Sequence, residues 1–330
     1  MSRGYTIVDA GKLLVLLFSF TVNTALALAQ QSSDIHVLHV QGNVDMLVGA
    51  GGNIAVQVGH DGVLMVDTGL AQTTDQVVAT VKQLAKPVTN KPLRFILNTH
   101  FHPDHTGGNE KARAAGTTIT GGNVAGNIQD ATEGAAIYAH ENVMKRLSAP
   151  TGAQAPTPSG AWPTDTFFGD TQELFFNGEA VQMFHPKSAH TDGDSIVFFR
   201  RSDVVLTGDI FTTTNYPVID LQNGGSINGL IDALNFILDI TIPAEKQEGG
   251  TMVIPGHGRL CDEADVVEYR DMVTIIRDRI QDMIKKGMTL EEVKAAKPTR
   301  DYDPLYGSTT GRWTTDMFVE AVYKSLSAKK

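Results

Sequence analysis

The stretch Asn98-Thr99-His100-Phe101-His102-Pro103-Asp104-His105-Thr106-Gly107-Gly108 limits what this chain can become more than any other. Three imidazoles and a carboxylate fall within six residues, directly after the apolar run Leu93-Arg94-Phe95-Ile96-Leu97. Side chains two apart on an extended segment leave on the same side, so His100 and His102 can grip one ion together. Pro103 bends the chain, which lets Asp104 and His105 reach toward a second ion beside the first. Imidazole and carboxylate donors suit zinc and also admit manganese or iron. A lone H-x-H could be chance in a polar loop. H-x-H-x-D-H between a strand and Gly-Gly is a metal-site signature.

Further along stand His190 in Ala189-His190-Thr191-Asp192-Gly193-Asp194, Asp209 in Thr207-Gly208-Asp209, and His257 in Pro255-Gly256-His257-Gly258. Asp67 lies upstream in Val66-Asp67-Thr68-Gly69. Each follows a predicted strand. In this order the five motifs resemble the signature of the metallo-β-lactamase superfamily over most of the chain after about residue 35. The resemblance implies an αββα sandwich with the metal site at one edge between the sheets. It implies that His100, His102 and His190 hold one zinc ion, that Asp104, His105 and His257 hold a second, and that Asp209 bridges them. A bridging hydroxide would then attack the substrate, with Asp104 orienting it and passing a proton to the leaving group. Asp67 would hydrogen-bond the His100–His105 loop; the plainer reading is a cap on the next helix.

Asp209 also bears on the substrate. Lactamases of the superfamily carry cysteine or serine there, whereas a bridging aspartate is the habit of glyoxalase II, lactonases and related esterases. The expected activity is hydrolysis of a small ester, lactone, thioester or cyclic amide. β-Lactam opening is the alternative within enzymes, and a metal-loaded binding protein without turnover is the alternative outside them.

The chain has 330 residues, with 42% hydrophobic and 19% charged side chains, which is ordinary for a globular protein able to bury a core. A formal charge of −10 without a Lys/Arg run makes nucleic acid a poor partner and leaves a small molecule as the expected one. Residues 1–29 read as a secretory leader. Arg3 and Lys12 precede the apolar run from Leu13 to Phe18, and Ala27-Leu28-Ala29 supplies a cleavage pattern. The mature protein, residues 30–330, is therefore expected in the periplasm or outside the cell, with no stable membrane association. Cys261 is the single cysteine, so no internal disulfide can form. The sequence leaves the oligomeric state open.

Short apolar runs separated by Gly-rich turns predict strands over 35–40, 45–48, 54–58 and 63–66, a helix over 71–85 and a strand over 94–99. A strand is predicted over 117–120 and a mostly helical stretch over 123–147. Residues 148–166 read as a long loop. The second half repeats strands over 171–176, 179–184, 195–200 and 204–207, then a helix over 226–240, a strand over 252–254 and helices over about 264–286, 290–296 and 314–327. Strand clusters alternating with helices in two halves predict an α/β fold of two mixed sheets packed face to face with helices outside. Four further residues are weighed for the site. Asn53 closes a Gly-rich turn that is either a plain hairpin or a wall of the cleft. Trp162 is either an apolar cleft contact or a core packer. Tyr216 is either an oxyanion donor or core. His185 is a candidate to support the metal ligands from behind.

Overall fold

The computed structural model describes Met1 and residues 34–117, 134–148, 155–246 and 249–328; the leader predicted over residues 1–29 lies outside these. In the first sheet β1 (His36–Gln41), β2 (Val44–Val48), β3 (Ile54–Gly59) and β4 (Gly62–Val66) pair antiparallel. The sheet continues in parallel through β5 (Leu93–Leu97), β6 (Ala136–His140) and β7 (Asp165–Phe167). The described helices of this half are α1 (Thr74–Ala85), α2 (Pro103–Thr106), α3 (Asn109–Ala114) and α4 (Glu141–Leu147). In the second sheet β8 (Thr171–Phe176), β9 (Glu179–Phe184), β10 (Ile196–Phe199) and β11 (Val204–Leu206) pair antiparallel, and β12 (Met252–Ile254) lies parallel to β11. Then follow α5 (Ile227–Ile240), α6 (Glu263–Lys285), α7 (Leu290–Ala296), α8 (Asp303–Tyr306) and α9 (Thr315–Ser327). Both sheets are mixed, as predicted.

The layering follows from a period of two along strands that are apolar on both faces. In β4, Leu64 and Val66 enter the same cluster as Val197 and Phe199 of β10, which is the core between the sheets. Their neighbours Val63 and Met65 face the other way, onto Val77, Val81 and Ala85 of α1. Those three recur every four residues, the spacing that puts apolar groups on one helix face. Ile196 and Phe198 of β10 likewise turn outward onto α5, α6 and α9. The result is helix, sheet, sheet, helix.

The prediction for residues 123–147 needs correction. Residues 123–133 lie outside the described residues, and Ala136–His140 form a strand, with only Glu141–Leu147 helical. Ala136 and Ala139 favour a helix whereas Ile137 and Tyr138 favour a strand, and burial of the segment between β5 and β7 decides the outcome. Of the loop read over 148–166, residues 149–154 lie outside the described residues and the last two open β7, which ends the first sheet. Of the strand read over 117–120, only Thr117 lies among the described residues, in an isolated bridge to Gly134.

Candidate metal centre

Strands β4, β5, β11 and β12 end at one edge of the sandwich, and each is followed within a few residues by a site side chain: Asp67, His100, Asp209 and His257. Backbone bonds tie the two sheets together there. Asn53 N donates to Gly256 O at 2.8 Å and Ser195 N to Thr99 O at 2.7 Å. The loops therefore rest on rigid elements, which is what a precise constellation needs.

Two donor groups form at this edge. One comprises His100, His102, His190 and Asp209; the other comprises Asp104, His105 and His257. Within each, the candidate ligand atoms lie within 4.8 Å of one another. His102 Nδ1 is 2.9 Å from His190 Nε2, and His105 Nε2 is 3.4 Å from His257 Nε2. Asp104 Oδ2 lies 3.1 Å from His257 Nε2. Asp209 stands between the groups. Its Oδ1 is 3.1 Å from His105 Nε2 and 3.4 Å from His257 Nε2, while Oδ2 is 3.8 Å from His190 Nε2 and 3.9 Å from His100 Nε2. Ligands sharing a tetrahedral zinc at 2.0–2.1 Å sit about 3.3 Å apart, so these spacings suit cations.

The outer ring nitrogens decide which nitrogen faces inward. His105 Nδ1 donates to Asp67 Oδ2 at 2.8 Å, and His190 Nδ1 donates to Val218 O at 2.7 Å. His102 Nε2 donates to Asp220 Oδ2 at 3.1 Å. Thr99 Oγ1 donates to Asp67 Oδ2 and so accepts from His100 Nδ1 at 3.1 Å. All four rings then aim a lone pair at the centre. His102 and His190 face each other without a proton to share. His100 Nε2 and Asp209 Oδ1 are buried and have no hydrogen-bond partner among the described residues. Orphaned acceptors of this kind are costly unless a cation meets them, so the residues fit a divalent metal pair.

Asp67 organises the loop. Its Oδ1 accepts from Thr99 N at 2.8 Å, completing three bonds with those from Thr99 Oγ1 and His105. The residue adopts φ +62°, a left-handed conformation that non-glycine residues rarely take and that these bonds over-determine. Gly52 matters by lacking a side chain, because a Cβ there would lie 2.6 Å from His105 Nε2. Asn98 and Asn109 bond reciprocally behind the loop, at 3.1 and 2.9 Å.

Four readings from sequence change. Asn53 is not a substrate contact: its Nδ2 donates to Pro255 O and Gly258 O, so it holds the His257 turn from behind. Trp162 packs with Ala139, Val143, Leu147 and Phe101, and its Nε1 donates to Thr157 O, away from the cleft. Tyr216 is core. Its ring stacks on Phe318, and its single hydroxyl proton is shared between Asp303 Oδ1 at 2.9 Å and Thr299 O at 3.1 Å, which leaves nothing for an oxyanion. His185 stacks on His140 with centroids 3.6 Å apart and bonds Asp194 O, so it touches none of the donor side chains.

The cleft over the donors has a volume of about 460 Å³ and is lined by Thr212, Thr214, Asn215, Val218, Arg312 and Trp313 besides His102, Asp104, His190, Asp209 and His257. Sequence reasoning missed Arg312, Trp313 and Asp220. Asp220 is 118 residues from His102 and carries no motif. Its burial opposes ionisation, but the bonds from His102 and Asn223 hold it down at about 2.

The metallo-beta-lactamase superfamily profile matches residues 48–257. The chain belongs to that superfamily. A linear primary-alkylsulfatase of Pseudomonas sp. (strain ATCC 19151) is 24% identical over 276 residues, covering 74% of this chain and 50% of the relative. Among solved structures, the stereoselective inverting sec-alkylsulfatase Pisa1 from Pseudomonas sp. superposes with a TM-score of 0.61 at 15% identity, covering 88% of this chain and 50% of that one. A metallo-beta-lactamase from Pontibacter korlensis gives 0.53 at 15% identity, covering 73% and 99%. This chain thus spans about half the length of the alkylsulfatases it matches.

Proposed function

We propose that the chain is an exported hydrolase that cleaves a small ester with two zinc ions. The observation that carries this is the convergence of His100, His102, His190, Asp104, His105 and His257 on two points with Asp209 between them. When bound, the ions would polarise the substrate and bring the pKa of water to roughly 7. The remaining work belongs to the chain. His100, His102 and His190 would hold one ion and Asp104, His105 and His257 the other. Asp67, Asp220 and the Val218 carbonyl fix ring orientation so that the donors need not reorganise. Asp104, part exposed at the cleft, is placed to orient water and to carry its proton to the leaving alcohol. Lactones, thioesters and cyclic amides offer the same electrophilic carbonyl, and the alkylsulfatase relative adds sulfate esters to the candidates. The pattern from Arg3 to Ala29 supports export. Among the described residues, no helix is long and apolar enough to cross a membrane.

The test is a substrate panel on zinc-loaded protein: p-nitrophenyl acetate, an acyl-lactone, a lactoylated thiol, hexyl sulfate and nitrocefin. Turnover of an ester that a chelator abolishes and zinc restores supports the reading. Turnover of nitrocefin alone favours a β-lactamase, and two bound metals without turnover favour a binding role.

A further inference from the structure

We infer that Arg312 and Trp313 form a recognition element that makes this cleft select substrates carrying an organic oxyanion. The inference rests on the cleft being the substrate site, and it concerns residues well outside the span 48–257 that the superfamily profile matches. Arg312 is the single lysine or arginine among the described residues lining the cleft. It is exposed and makes no ion pair among the described residues, unlike Arg259, Arg270, Arg277 and Arg279. Beside it, Trp313 is half-buried, and its indole Nε1 is fully buried with no hydrogen-bond partner among the described residues. With that N–H closed off, what Trp313 adds to the cleft is apolar surface beside the guanidinium.

The loop that carries the pair is built to hold position. Ser308 and Thr315 close its base through two bonds, Thr315 N to Ser308 O at 2.8 Å and Ser308 N to Thr315 Oγ1 at 3.0 Å. The preceding α8 is fixed to the segment after Asp209 by Tyr216, whose hydroxyl donates to Asp303 and whose backbone N–H donates to Tyr306 O at 3.2 Å. A guanidinium over a metal cleft suits the oxygens of a sulfate monoester or a carboxylate. Val218 and Trp313 give the cleft apolar surface for the attached carbon chain.

The test uses the zinc-loaded full chain and inert probes. The chain has two tryptophans, so Trp162→Phe leaves Trp313 as its only indole reporter. Hexanesulfonate should quench that fluorescence saturably, hexanoate should do so as well if any oxyanion suffices, and hexanol should not. Arg312→Ala should weaken hexanesulfonate binding roughly tenfold or more, with Arg312→Lys intermediate. Trp313→Ala removes the apolar wall beside Arg312, and it should weaken hexanesulfonate binding read by calorimetry. In turnover, Arg312→Ala should raise KM for an anionic ester by a larger factor than for a neutral one. Equal binding of hexanol and hexanesulfonate, or unchanged affinity in Arg312→Ala, overturns the inference. Arg312-dependent binding without turnover of any ester keeps it and overturns the hydrolase reading instead.

Discussion

Asp220 Oδ2 accepts from His102 Nε2 at 3.1 Å, which leaves His102 Nδ1 facing His190 Nε2 at 2.9 Å. The backbone completes the link, since Asp220 N donates to His190 O at 3.0 Å. One residue thus fixes both the tautomer of one candidate ligand and the loop of another. Removing such a partner typically costs 10–100-fold in metal affinity. Asp220→Ala should therefore weaken zinc binding at one site by about that factor, measured by competition with a chelating dye. Unchanged affinity would show that the contact does not orient the ring.

Asp67→Ala removes three acceptor contacts at once. Thr99 N–H and His105 Nδ1–H would be left buried without partners, at about 1–3 kcal/mol each. Denaturant unfolding should show a loss of at least about 2 kcal/mol. A loss below about 0.5 kcal/mol would mean that water replaces the carboxylate.

Gly52→Ala tests the close approach of the early hairpin to the metal loop. The added methyl would collide with the His105 ring, whose other side is held by Asp67. Zinc affinity should fall roughly tenfold or more while far-UV circular dichroism stays unchanged. Native affinity in this variant would show that the ring has room to move.

His140 gives a pH dependence away from the metals. Burial first, and then the His185 ring stacked on it, push its pKa down to about 4 from an ordinary 6.5. Between these values the unfolded chain binds the proton and the folded chain does not. The contribution is therefore fully present above about pH 6.5 and is lost as pH falls toward 4, amounting to about 2 kcal/mol. His140→Asn keeps an acceptor near Asn142 N at the start of α4. With zinc in excess throughout, the wild type should lose about 2 kcal/mol more than this variant between pH 7.5 and 4.5. Equal losses would contradict the assignment.

How far the sequence could be read depended on whether a residue's neighbours were local. The seven donors the structure brings together stand at strand ends inside short motifs, where a run of apolar residues announces the strand and a polar cluster its end. The two mixed sheets were legible from the same runs. Asp220, Arg312 and Trp313 reach the site only through tertiary packing of segments without a motif. Trp162 and Trp313 show the limit well. Both are aromatic residues in polar loops, and only the fold decides that Trp162 packs on Ala139 and Val143 while Trp313 lines the cleft. Tyr216 was ambiguous for the same reason, because Thr299 and Asp303, its hydroxyl's partners, are more than 80 residues away.

The central claim is that Asp209 joins two three-histidine-or-aspartate sets into a dinuclear centre. Calorimetric titration of the metal-free chain with zinc tests it most directly. The account predicts two equivalents for the wild type and at most one tightly bound equivalent for Asp209→Ala. A wild type that takes up one ion or none, or an Asp209→Ala variant that retains both at native affinity, would contradict it.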